Sequence, residues 1–192
     1  MTLLIAGLLL FLSVHSVRIV ADDWRTTQIA RWGENAWKGL YTLASVAGLA
    51  LIVYGFAQAR EQPVVLWATP AWLRHVAALL TLVAFVFVTA AYVPGNGIKA
   101  RLRHPMVLGV KVWALAHLLA NNSLADVLLF GSFLAWAAFS FRAARARDRA
   151  ANAIRPAGTL SRTLATLVIG SAAWVAFAFW AHAALIGVRP FA

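Results

Sequence analysis

The sequence contains no cysteine. That absence excludes disulfides, iron–sulfur clusters, thiolate-ligated haem and the covalent attachment of a c-type haem. Charge is scarce too. Asp, Glu, Lys and Arg make up 12% of the 192 residues, about half the share a soluble domain needs to face water. Only six residues are acidic, and none lies deep in an apolar run, Asp126 standing near an outer end. A carboxylate proton relay or an acid-lined cation path therefore has little to stand on.

What fills the chain instead is apolar. Hydrophobic residues reach 62% and the mean hydropathy is +0.78. Too few charges remain to cover a globule, so lipid must replace water over most of the surface. The length suits one compact domain, residues 1–192. Six stretches approach the roughly 20 residues needed to cross a hydrocarbon core: 3–21, 38–58, 71–93, 106–121, 124–141 and 161–188. The expected fold is an all-α transmembrane bundle of about six helices. The first stretch is expected to be a retained helix, because no basic residue precedes it and no small-x-small cleavage pattern follows it.

The net charge is +11, yet its distribution argues against nucleic acid. The basic residues stand in short segments between apolar runs, where they act as topology signals. Thirteen of the 17 fall between spans one and two, three and four, or five and six. Arg60, Arg74 and Arg189 mark the opposite side, and Lys111 lies within a span. The richer side is expected to be cytoplasmic, with both termini outside. Trp24, Trp32, Trp37, Trp67 and Trp72 cluster near span ends, as interfacial anchors do. Residues 142–158 suggest a short Arg- and Ala-rich cytoplasmic helix on anionic lipid. The Asn121-Asn122-Ser123 sequon is a pattern short enough to arise by chance.

The five histidines carry the chemical information, because an ionisable group within a bilayer is expensive to keep. His15 and His117 are the deepest. Each lies a few residues past the middle of its span, and the spans run in opposite directions. Both therefore stand within roughly 5 Å of the midplane, offset to opposite sides. Two neutral imidazoles on facing helices can hold haem b from both faces. Arg18, three residues after His15, lies on nearly the same helical face and could pair with a propionate. Lys111 and Arg103 are further candidates. In Arg103-His104-Pro105, proline opens a helix whose N-terminal N–H groups would also suit an anion, and His104 could tune the site. The competing reading is that these histidines only bond to neighbouring helices, for about 0.6–2 kcal/mol each. His75 and His182 read as interfacial polar groups.

Four stretches resemble the NnrU family: Val14-His15-Ser16-Val17-Arg18, Trp37-Lys38-Gly39-Leu40-Tyr41, Tyr92-Val93-Pro94-Gly95-Asn96, and Arg103-His104-Pro105 through Ala116-His117-Leu118-Leu119-Ala120-Asn121. The resemblance covers roughly residues 1–150 and is weaker over the last span. It implies a multi-pass protein of the bacterial inner membrane linked to denitrification and nitric oxide reduction. The family is in turn similar to plastid zeta-carotene isomerase, a haem b enzyme acting on a carotenoid double bond. That similarity implies His15 and His117 as iron ligands and an isomerase-like or redox role in nitrogen-oxide or isoprenoid metabolism. Where the isomerase has a cysteine shortly before its second histidine, this chain has Ala114, so no thiolate is present to switch ligands. The Arg-His-Pro-x-x-x-Gly pattern also resembles isoprenylcysteine-type methyltransferases. The acidic pair those enzymes use downstream is missing from Ala146-Arg147-Asp148-Arg149-Ala150. Three functions stay open: a haem b membrane protein, a cofactor-free helper in assembling a respiratory reductase, and an enzyme on a lipid-soluble substrate.

Overall fold

In the computed structural model, which describes residues 1–191, the chain is mostly helical, with irregular segments at 62–72 and 151–159. The elements are α1 Thr2–Val20, α2 Asp22–Trp32, α3 Glu34–Glu61, α4 Leu73–Tyr92, α5 Gly97–Leu102, α6 Pro105–Ala120, α7 Leu124–Ala150 and α8 Leu160–Ala176. A π-helical turn, Phe177–Ala181, then leads into α9 His182–Ile186. Among the described residues the only extended pairings are two isolated bridges, Val65 with Ser123 and Asn96 with Thr159.

Five helices are long and apolar enough to cross a membrane, counting Leu160–Ile186 as one. The sixth, α6, has 16 residues and is about 24 Å long. In the most apolar window of each long helix only 17–22% of the residues are buried inside the protein. Most of every helix thus faces outward, which suits lipid and not water. The bundle is an integral membrane protein.

α1 packs on α3 and α7, α6 on α4 and α7, and α8 on α4. Helices in lipid gain little from burying apolar surface, so close backbone approach carries their association. α1 and α3 achieve it with glycine. A Cβ at Gly7 would stand 2.6 Å from the Ile52 nitrogen, and one at Gly48 would stand 2.9 Å from the Phe11 nitrogen. The second contact lies one turn before His15, at Phe11.

The three basic segments meet at one end of the bundle. Arg147 donates to the Arg18 carbonyl at 3.1 Å, and Arg103 and His104 both meet Asp148. Two expectations change here. Residues 142–150 are no separate helix but the continuation of α7, with Ala151 as its C-cap. The segment between the first two spans holds α2, gathered on α3 by Trp24 and Trp32 around Trp37, at 5.9 and 6.4 Å between ring centres. Ser123 has a structural role: it caps α7 in a capping box with Asp126, its hydroxyl accepting from the Asp126 N–H.

Candidate haem and ligand sites

His15 and His117 share one local design. The His15 Nδ1–H donates to the Phe11 carbonyl at 2.7 Å, and the His117 Nδ1–H donates to the Trp113 carbonyl at 2.9 Å. A carbonyl can only accept, so in each ring the proton sits on Nδ1 and Nε2 keeps its lone pair. Neither Nε2 has a hydrogen-bond partner among the described residues. A metal-binding imidazole is commonly oriented in this way, by a bond from its other nitrogen.

The same bonds set the direction of the rings. A carbonyl at i−4 lies one turn towards the helix N-terminus, so both side chains lean that way. α1 and α6 run in opposite directions, so the two imidazoles lean towards the middle of the bilayer from opposite sides. On α7, His15 touches Trp136 and His117 stacks on Phe130 at 4.5 Å. Those two contacts lie six residues apart along α7, about 9 Å. The imidazoles do not touch. A ladder of rings joins them: His15 to Phe11 at 4.0 Å, Phe11 to Phe133 at 5.8 Å, Phe133 to Trp113 at 5.7 Å and Trp113 to His117 at 5.1 Å.

The donor chemistry fits haem b. Among the described residues no three His, Asp or Glu side chains gather as a bare metal ion would need. Two imidazoles suffice where a macrocycle supplies the other donors. The half-buried rings of Phe11, Phe133 and Trp113 occupy the interval, so a flat macrocycle there requires them to rotate. A second feature favours a polar guest on the His15 side. Trp136 meets the His15 ring edge-on at 6.1 Å, and its Nε1 is buried without a hydrogen-bond partner. An indole N–H left so normally costs about 1–3 kcal/mol.

The other expected site residues divide into two groups. Arg18 is exposed, 3.9 Å from Asp22, in a surface pair worth little. Lys111 is exposed on α6. Arg103 and His104 come together on Asp148, at 3.7 and 3.0 Å, with Arg155 at 3.5 Å. His104 stands thirteen residues before His117, about 20 Å along the axis, so this cluster anchors the entry of α6 and does not line the mid-span histidines. Arg103 holds a φ of +67°, a strained conformation for a non-glycine residue. Burial pushes the His104 imidazole below its usual range and outweighs the opposing pull of Asp148.

On its other flank, His117 lines a cavity of about 280 Å³ between α4, α6, the π-helical turn and the segment after α9. His182, Trp174 and Asn121 line it as well. The sequence offered little to find these residues. Trp136 was one of nine tryptophans, and His182 looked interfacial. The π-helical turn leaves no mark in hydropathy.

No curated protein and no solved structure matches the chain. A family model described as NnrU protein matches residues 3–190, so the resemblance of the first 150 residues extends through the last span, and the chain belongs to the NnrU family.

Proposed function

We propose that this chain is a haem b protein of the bacterial inner membrane, in which His15 and His117 would hold the iron, with a redox role in nitrogen-oxide metabolism. The observation that carries this reading is the matched pair of imidazoles. Each has Nδ1 committed to an i−4 carbonyl, each keeps a free Nε2, and they lean towards one another from antiparallel helices. The carbonyl bond fixes each ring and raises the basicity of its Nε2. Trp136 Nε1 offers a donor beside His15. Arg18 and Lys111 are exposed and would have to turn inward to pair with propionates, and the Arg103–His104–Asp148 cluster keeps the start of α6 in place. When bound, haem b supplies a one-electron iron couple. Iron held by both imidazoles would serve as an electron carrier and not as a substrate-binding centre. The basic end of the bundle faces the cytoplasm.

An absorption spectrum of detergent-purified protein tests the reading, oxidised and then reduced with dithionite. A sharp Soret band with low-spin α and β bands in the reduced state is expected, and it should be lost in the His15→Ala, His117→Ala double variant. A flat spectrum after haem reconstitution would sink the reading and favour a cofactor-free helper in reductase assembly.

A further inference from the structure

The cavity beside His117 is a second, separate feature of the outer half of the bundle. We propose that it binds the hydroxyl-bearing ring of a lipid-soluble quinol. Its volume, about 280 Å³, lies just below the usual range for ligand pockets, roughly 300–1,000 Å³. That suits a single ring with short substituents.

The room is created by small side chains. Ala77, Ala116 and Ala178 line the cavity and are themselves buried, so a larger residue at any of them would fill it. The π-helical turn over Phe177–Ala181 widens the helix where Phe177 and Ala178 meet the space. Such turns are rare and often sit at functional sites. Trp174 and Phe177 supply flat apolar walls. The Trp174 N–H is already taken by the Thr81 hydroxyl at 3.0 Å, which leaves the indole as packing surface.

The polar lining offers both kinds of partner: the Arg74 and Arg189 guanidiniums are donors, and His182 and Asn121 present acceptors. The His182 Nδ1–H donates to the Val188 carbonyl at 2.7 Å, so in the neutral ring Nε2 is the acceptor. The Asn121 amide donates to the His117 carbonyl at 2.9 Å, and its side-chain oxygen has no protein partner among the described residues. A guest satisfying these two acceptors must bring hydrogen-bond donors. A quinol hydroxyl serves both needs, its O–H donating to such an acceptor and its oxygen accepting from a guanidinium, on a flat ring whose apolar tail can remain in lipid. The guest would share the His117 ring as a wall with the proposed haem site, yet its binding does not depend on that haem.

Equilibrium dialysis of the purified full chain with a decyl-substituted benzoquinol tests the proposal. The dimethyl ether of the same ring and decanoate serve as comparisons. Saturable binding of the quinol is expected, with the ether at least about tenfold weaker because it lacks O–H donors. Ala178→Leu should abolish binding. His182→Phe should weaken it about tenfold, and His182→Gln, which restores an acceptor, should recover part of the loss. Thermal unfolding of each variant distinguishes a closed cavity from a misfolded protein. His15→Ala should remove the haem spectrum and leave quinol binding intact, so the two readings fail independently. No saturable binding, equal binding of the ether, preferential binding of decanoate, or full binding by a folded Ala178→Leu variant would each overturn the proposal.

Discussion

His15 and His117 have the same backbone bond and the same kind of aromatic residue four positions earlier, yet their surroundings differ. His15, half-buried, meets rings from three helices: Phe11 on α1, Tyr41 on α3 and Trp136 on α7. α3 is pressed against α1 at Gly48, beside Phe11. His117 has one flank on Phe130 and the other on a cavity. The comparison teaches that one local device can stand among packed rings on one side of the bundle and beside a cavity on the other. The helix presents the same lone pair in both, and the neighbouring helices decide what can reach it.

The largest expected effect breaks the His15 side. In Gly48→Leu the new side chain would meet the Phe11 backbone. Overpacking costs about 1–3 kcal/mol even where side chains can yield, and backbone yields less. The Soret band should fall sharply, with a lower unfolding temperature. Quinol binding at the cavity should suffer less, because α3 does not line it. Equal loss at both sites would mean that the two regions fold as one unit.

A smaller effect is expected from Trp136→Phe, which keeps a ring beside His15 and removes the unsatisfied N–H. The haem-free protein should be as stable as wild type or up to about 1–3 kcal/mol more stable. The loaded protein should lose affinity or shift its α band, as judged by haem titration. An unchanged titration would reduce Trp136 to packing.

The smallest effect concerns the entry of α6, and so the His117 side. With the folded-state pKa of His104 depressed by burial, the unfolded chain takes up a proton that the folded chain refuses. Stability is then complete above the ordinary imidazole value, about 6.5, and declines as pH falls below it towards the depressed folded value. Unfolding temperatures measured from pH 7.5 down to 5.5 should fall in wild type and fall less in His104→Asn. An equal slope in both would remove His104 as the source.

Much of the bundle was legible in the chain. The apolar runs located every long helix, because a bilayer imposes length and composition locally. Helix ends were harder to read. The α7 helix runs nine residues past the expected boundary at 141, since alanine and arginine favour helix with or without lipid, and hydropathy reports only the part in lipid. The depth argument chose His15 and His117 because a histidine amid aliphatic residues is conspicuous. Trp136 was not, since a tryptophan within a span reads as ordinary packing, nor was His182, since a histidine near a span end is the ordinary composition of an interface.

The sequence by itself determined that the chain is a helical membrane protein with its positive charge on alternate loops and two imidazoles near mid-depth. Depth follows from counting residues along one helix. Only the tertiary structure decided which neighbours those imidazoles have. Facing residues, the ladder of rings between them and the cavity beside His117 depend on how helices are ordered and rotated in the bundle. Rotation is set by contacts such as Gly48 against Phe11, which involve residues far apart in the chain and leave no periodic trace in either helix alone.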